Sequence, residues 1–132
     1  MRMTRRTIIT MIVASAAFSG CVHLNENNAR SGTMYGLIGK ALAVPGKRDE
    51  LVDILLEGTQ SMPGCLSYIV AKDTADPNGI WITEVWDTES SHKASLALPS
   101  VQAAIARGRP LIAGFAERFV TQPLGGAGLA DA

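Results

Sequence analysis

The sequence is poor in the side chains that most enzyme chemistry requires. Of its 132 residues only two are cysteine and two are histidine, and aromatic residues make up 5% of the chain. No two His, Cys or carboxylate residues recur at ligand spacing on one predicted element, so we expect no metal site. A glycine-rich phosphate loop and a nucleophile elbow are also missing.

Neither sign of charge is in excess. The chain carries 12 basic and 12 acidic residues. There is no basic stripe and no alternation of basic with aromatic residues, so nucleic acid is not an expected partner. The length allows one domain.

A hydrophobic run long enough to cross a bilayer is missing too. The apolar run from residue 8 to 18 is shorter than the ~20 residues that a spanning helix needs. It follows Arg2, Arg5 and Arg6, which is the layout of an export signal, here residues 1–20. Removing it leaves nine basic against twelve acidic residues, so the mature chain is acidic.

The four residues "FSGC" that end at Cys21 resemble a bacterial lipobox, which implies lipidation of Cys21. We therefore expect an exported protein, anchored by its acyl chains in the bacterial cell envelope or periplasm. The Arg5-Arg6 pair also resembles a twin-arginine signal, which leaves the export route open. Lipidation of Cys21 would leave Cys65 without a disulfide partner, and we expect Cys65 to be a small buried hydrophobic residue.

The remainder divides into three parts. Residues 21–33 are polar, lack periodicity and include His23, which predicts a flexible tether. Residues 34–123 form the folded domain, and residues 124–132 form a glycine-rich tail.

Hydrophobic periodicity predicts six elements in the folded domain. "MYGLIGKALAV" is apolar enough for a buried strand, and "KRDELVDILLEGTQ" has the pattern of an amphipathic helix. "CLSYIVAKD" and "IWITEVWD" predict an antiparallel hairpin, and "SSHKASLALPSVQAAIARG" predicts a helix in two segments that meet at Pro99. "PLIAGFAERFVTQP" predicts a last strand, which alternates well over residues 115–120. The order β-α-β-β-α-β predicts an α+β, ferredoxin-like fold. Both faces of its sheet are apolar, so we expect a homodimer that packs sheet against sheet.

The stretches "VPGKRDELVDILLE", "MPGCLSYIVAKD", "IWITEVWDTESSH" and "RPLIAGF", at these spacings, resemble the antibiotic biosynthesis monooxygenase (ABM) domain family over about residues 34–123. The resemblance implies a dimeric α+β barrel with one pocket per subunit between helices and sheet. It also implies oxygenation of a quinol-like or other electron-rich aromatic substrate by O₂, without a metal or flavin cofactor.

Two residues are the catalytic candidates. Trp86 matches the tryptophan that several family members place in the pocket at the end of the third strand; it is either a core aromatic or a pocket wall. His92 is the only histidine of the folded domain and the natural general base, unless it is a solvent-exposed residue of a helix first turn. The histidine that the family often has is Ser95 here.

Four further residues are candidates for substrate binding: Tyr68, Ser91, Ser95 and Arg109. Each has a structural alternative. Tyr68 would otherwise be a core residue, the two serines would cap or cover a helix, and Arg109 would complement a helix C-terminus. Glu84 stands in a buried-looking strand, where we expect a cross-strand or intersubunit Lys or Arg partner in preference to a catalytic role.

The main rival hypothesis is a non-catalytic protein of the same fold that binds a small hydrophobic molecule. A related branch of the fold degrades haem with an Asn, a Trp and a His. Ile82 stands where anthrone-oxidising family members have an Asn, and the first strand has no Asn, so haem binding is the weaker alternative.

Overall fold

The computed structural model describes residues 33–130. The predicted export signal, the Cys21 lipidation site and nearly all of the predicted tether, with His23, lie outside the described residues.

The first half of the domain is a strand, a helix and a hairpin. Strand β1 spans Tyr35–Ala43, helix α1 Arg48–Gly58, strand β2 Cys65–Lys72 and strand β3 Gly79–Trp86. Gly46, in the turn before α1, has φ +81°, a conformation that a side chain would strain. Asp49 and Glu50 occupy the first turn of α1, where the helix dipole favours acidic residues.

The second half is helical and then returns to the sheet. Helix α2 spans Glu89–Ser95 and helix α3 Pro99–Gly108; a short 3₁₀ turn, Arg109–Leu111, leads into strand β4, Ile112–Thr121. Pro99 is the first residue of α3, where its missing N–H costs no hydrogen bond. The predicted break at Pro99 is therefore present, and β4 lies within the stretch "PLIAGFAERFVTQP" that is predicted to hold the last strand.

The four strands form one antiparallel sheet in the order β2-β3-β1-β4. With three helices and the βαββαβ order, this is the ferredoxin-like α+β fold, and the fold class predicted from the sequence is confirmed. Two register shifts interrupt the β1–β4 pairing, which explains why the alternation is regular only in the later part of β4.

One face of the sheet packs on the helices and carries two core clusters. The first cluster centres on Ala43, Leu51 and Ile80, each at most 1% exposed. The second consists of Met62, Trp86 and Val101, with Tyr35, Cys65, Tyr68 and Leu98 packed against it. Ala43 and Trp86 lie near opposite ends of the sheet. The first cluster therefore fills one end of the core, and the second cluster fills the end that contains the candidate site.

The other face of the sheet carries large apolar side chains without a covering layer among the described residues. Ile69, Thr83, Ile38 and Phe119 lie in one row across the four strands. Ile69 is 56% exposed and Phe119 is 52% exposed. We call this row the apolar row.

The β2–β3 loop is anchored to the sheet by charge. Lys40 Nζ lies 2.7 Å from an Asp73 carboxylate oxygen, which also accepts a 2.9 Å hydrogen bond from the Trp81 indole. The Lys40 ammonium, with backbone N–H donors and the indole, holds the pKa of Asp73 well below its usual range.

No helix among residues 33–130 has the length and hydropathy of a membrane span.

Candidate active site

The candidate site is built where β3 ends and α2 begins. Glu84 and Trp86 are two residues apart on β3 and therefore point to the same face of the sheet, the face that packs on the helices. The Thr88 side chain accepts a 3.1 Å hydrogen bond from the Ser91 backbone N–H and so caps α2. The cap starts the helix immediately after the strand and brings His92, one turn later, over the strand end.

His92 lies inside an aromatic and acidic cluster. Its ring centroid is 5.2 Å from that of Tyr35 and 5.5 Å from that of Trp86, the latter in an edge-to-face arrangement. Its side chain is 13% exposed. The structure thus turns His92 toward the sheet, not toward bulk solvent. The Trp86 and His92 rings thus pack directly against each other.

Glu84 joins the two catalytic candidates. Its Oε2 atom accepts a 2.8 Å hydrogen bond from the Trp86 indole and lies 3.8 Å from His92 Nε2. The Glu84 side chain is 11% exposed, and burial raises its pKa above the ordinary value despite the Trp86 hydrogen bond and the nearby His92 and Arg118. We call Glu84, Trp86, His92 and Tyr35 the Glu84 cluster.

Within the described chain the hydrogen-bond partner of Glu84 is the Trp86 indole, and the nearby Arg118 lowers the pKa of Glu84 without a direct ion pair. A Lys or Arg partner from a second subunit stays a prediction. The sequence contains a signal for the Glu84–Trp86 hydrogen bond. A glutamate two residues before a buried tryptophan on one strand shares its face, so the indole N–H can reach the carboxylate.

Tyr68 lies beside the cluster on the neighbouring strand. It pairs with Glu84 across β2 and β3, and Cys65 pairs with Trp86. Burial raises the pKa of the Tyr68 phenol and, less strongly, that of the Cys65 thiol; the nearby Glu84 acts in the same direction. Both groups therefore stay protonated at neutral pH.

The two serine candidates have structural contacts. The Ser91 hydroxyl lies 3.0 Å from the Thr88 hydroxyl and against Gly64, where a Cβ would collide with it. Ser95 is 5% exposed, and its hydroxyl donates a 2.7 Å hydrogen bond to the His92 backbone carbonyl. Ser95 thus holds the helix turn that carries His92.

Arg109 is not near the Glu84 cluster. It lies in the 3₁₀ turn before β4 and is exposed. β4 begins opposite Ala43, whereas Trp86 pairs with Tyr35 at the other end of β1. Eight residue steps along a strand are about 26 Å, so Arg109 and the Glu84 cluster occupy opposite ends of the sheet.

A cavity of about 790 Å³ opens between the end of α1 and edge strand β2. Tyr68 and Cys65 line it, but Trp86 and His92 do not.

Among residues 33–130 no three His, Cys, Asp or Glu side chains converge on a possible metal position.

These features define a small α+β protein of ferredoxin-like fold in which a glutamate and a histidine lie among aromatic side chains. The model of the antibiotic biosynthesis monooxygenase family matches residues 34–107, more than half of the chain. The chain belongs to this family.

Solved structures agree with this assignment. The chain is similar, at 65% identity and a TM-score of 0.73, to a "putative Antibiotic biosynthesis monooxygenase" from Chloroflexus aurantiacus; the match covers 74% of this chain and 100% of the other. A protein of the same description from Caulobacter crescentus is 19% identical with a TM-score of 0.65, over 76% of this chain and 99% of that one. A conserved protein from Methanosarcina mazei is 18% identical with a TM-score of 0.62, over 72% and 97% of the two chains. The last two show the fold alone. A comparison with curated proteins found no match.

Proposed function

We propose that this protein is a cofactor-independent monooxygenase that oxidises a quinol-like or other electron-rich aromatic compound with O₂. Membership of the monooxygenase family supports oxygen chemistry. The observation that carries the proposal is the position of His92, between two aromatic rings with Nε2 3.8 Å from a buried carboxylate.

The first step is removal of a hydroxyl proton from the substrate. A proton on Nε2 of His92 faces Glu84, which leaves Nδ1 as the acceptor for the substrate proton. The carboxylate then stabilises the imidazolium that forms, since an opposite charge at this distance in a poorly solvated site favours the charged form. Glu84 and His92 thus act as one acid–base pair.

The second step needs only the deprotonated substrate and O₂. The electron-rich anion passes an electron to O₂, and recombination forms a carbon–oxygen bond. Loss of water then gives the product, so one quinol and one O₂ yield one hydroxyquinone and one water. The substrate supplies all four electrons. The protein contributes binding, deprotonation and exclusion of water by the aromatic side chains around His92.

Oxygen uptake tests this proposal. Full-length protein is incubated with a panel of hydroquinones and naphthohydroquinones, and O₂ consumption is followed against a protein-free control. Loss of a positioned general base costs about 10²- to 10⁴-fold, so we expect that loss in His92→Gln and in a Trp86→Ala, His92→Ala double variant. Arg109→Ala, at the far end of the sheet, is the matched control and should keep the wild-type rate. Equal rates in wild type and His92→Gln would contradict the role of His92.

A second candidate function is non-catalytic binding of a small hydrophobic molecule. The specific observation in its favour is that Trp86 is 1% exposed and that neither Trp86 nor His92 lines the cavity. Native mass spectrometry distinguishes the two functions. A bound aromatic compound that leaves unchanged under air supports the binding protein, and an oxygenated product supports the enzyme.

We also propose that a second copy of the chain covers the apolar row. Exposed isoleucine and phenylalanine side chains in one row across four strands support this, because two such sheets can bury the row against each other about a two-fold axis.

The lipid anchor at Cys21 and the envelope location remain proposals from the sequence. Loss of labelled acyl chain incorporation in Cys21→Ser tests the anchor.

A further inference from the structure

The part of β1 next to β4 is open on the helix side of the sheet. Gly39 lies on this face, between Ile82 of β3 and Arg118 of β4. Apart from its neighbours in the chain, a Cβ atom added at Gly39 would have only the Glu117 backbone oxygen of residues 33–130 within 4 Å, at 3.7 Å. Gly39 and the half-buried Leu37 thus form the floor of an open cleft, which we call the β1 cleft.

Arg118 and Glu84 lie on either side of the β1 cleft. Glu84 pairs with Leu37, and Arg118 pairs with Gly39, two residues further along the same strand. Both side chains therefore point to the helix side of the sheet. Strand spacings of about 4.8 Å and a rise of about 3.4 Å per residue put their Cα atoms roughly 12 Å apart. A ligand on the floor of the cleft therefore lies between a cation and an anion.

The Arg118 guanidinium has no partner among the described residues. Arg118 is exposed, and it takes part in none of the side-chain hydrogen bonds or ion pairs within residues 33–130. Burial raises the pKa of Glu84; the Trp86 hydrogen bond, His92 and Arg118 oppose that rise. No Lys and no other Arg of the described residues does so. Arg118 is thus the cation nearest to the acid–base pair, and its N–H donors are available to a ligand.

Proton transfer to His92 changes the charge balance beside the cleft. After the transfer, the substrate oxygen and the Glu84 carboxylate are each negative, and the His92 imidazolium is the one positive group of the Glu84 cluster. A net negative charge in a poorly solvated site is costly. The Arg118 guanidinium supplies the second positive charge, and a charged donor forms a stronger hydrogen bond to an anionic oxygen than a neutral donor does.

We propose that Arg118 is a further substrate-binding residue, whose guanidinium donates hydrogen bonds to the phenolate oxygen of a substrate that lies on the floor of the β1 cleft. The identity of the anion rests on the proposed function. The place of Arg118 rests on the register of the sheet and on the open space above Gly39. The β1 cleft therefore binds the anion of a hydroxyaromatic compound more tightly than a neutral compound of the same shape.

Isothermal titration calorimetry with the full chain tests this preference without any requirement for turnover. The probes are 4-nitrophenol at about pH 8, where it is largely the phenolate, and its methyl ether 4-nitroanisole, which cannot ionise. We expect the wild type to bind the phenolate about tenfold more tightly than the ether, or better. Equal affinities for the two probes would overturn the proposal.

The Arg118→Gln variant shows whether Arg118 is the cause of the preference. It should weaken phenolate binding by about tenfold or more and change binding of the ether by less than about twofold. Arg118→Lys keeps the charge without the forked donors and should recover part of the loss. Arg109→Gln, at the other end of the sheet, is the matched control and should bind both probes like the wild type. Unchanged phenolate affinity in Arg118→Gln, or an equal loss for both probes, would refute the role of Arg118.

A second variant tests the location. Gly39→Val puts a side chain into open space on a strand, where a branched residue is well accommodated, and circular dichroism checks that it is folded. Because its side chain occupies the floor of the β1 cleft, it should weaken binding of both probes. Unchanged binding of both probes in Gly39→Val would place the ligand elsewhere and overturn the proposal.

The outcome is separable from that of the proposed reaction. If the phenolate binds through Arg118 and no quinol consumes O₂, the anion site stands and only the proposed oxygenation fails. If quinols consume O₂ at the same rate in wild type and Arg118→Gln, the oxygenation stands and the role of Arg118 fails.

Discussion

The Trp86 indole donates a 2.8 Å hydrogen bond to Glu84 Oε2, the same oxygen that lies 3.8 Å from His92 Nε2. One carboxylate oxygen therefore connects a buried core aromatic to the only histidine among the described residues. Trp86 has two roles in this arrangement: it fills the second core cluster, and it holds the acidic partner of His92.

Loss of the indole N–H should destabilise the fold. Trp86→Phe keeps an aromatic ring in the core but removes part of the buried indole and the donor of a buried carboxylate; the lost donor alone costs about 1–3 kcal/mol. Urea unfolding followed by circular dichroism measures this. Trp81→Phe is the matched control, because Asp73 keeps its Lys40 partner after the Trp81 indole is lost, and should cost less. Equal losses in the two variants would contradict the account.

The stability of the protein should depend on pH through Glu84. Burial raises the pKa of Glu84 above 4.5 in the folded chain, so the folded state holds the proton more tightly than the unfolded state. The stabilisation that follows is complete below the ordinary carboxyl pKa and is lost as pH rises through the raised value.

Replacing Glu84 with a neutral residue should therefore raise the stability of the fold only at pH values at which Glu84 is charged. Glu84→Gln should raise the Tm relative to wild type at about pH 8 and lose that advantage at about pH 4. Differential scanning calorimetry at both pH values measures it, with exposed Glu57→Gln as control. A Tm advantage of Glu84→Gln that is larger in acid than at the higher pH would contradict the prediction.

Two of the leucines of α1, Leu51 and Leu56, lie on its buried and its exposed side. Leu51 is 1% exposed and Leu56 is 47% exposed. Leu51→Ala should cost about 2–5 kcal/mol through the cavity that it leaves, and Leu56→Ala less than about 1 kcal/mol. Urea unfolding of both variants checks this; similar costs would mean that α1 packs differently.

The apolar row should control oligomeric state. Phe119 belongs to the row, whereas its neighbour Val120 pairs with Leu37 on the opposite face and is similarly exposed. We expect dimers in wild type and in Val120→Glu, and monomers in Phe119→Glu, by light scattering coupled to size-exclusion chromatography. A monomeric wild type, or dimers in all three proteins, would refute the proposed interface.

The elements could be predicted from the sequence because their signals are local. Alternating apolar residues in β2 and β3, the acidic first turn of α1 and Pro99 at the start of α3 each act within a few residues. The last strand is also predicted, although its two register shifts leave regular alternation only in its later part.

The site could be predicted only in part because it depends on how elements pack. Trp86 and His92 are close in sequence and are both candidates, but the direction of the His92 ring depends on the angle between α2 and the sheet. The charge of Arg109 makes it a candidate, but its distance from Trp86 depends on the pairing of β4 with β1. The cavity depends on α1 and β2 together, and no local pattern indicates it.

Oxygen labelling tests the central claim most directly. A quinol that the wild-type protein consumes is incubated under ¹⁸O₂ in unlabelled water, and the product is analysed by mass spectrometry. The account predicts a hydroxyquinone with a single ¹⁸O atom, formed by the wild type and by Arg109→Ala and almost absent with His92→Gln and Glu84→Gln. A product without ¹⁸O, or equal labelled product from all four proteins, would contradict it.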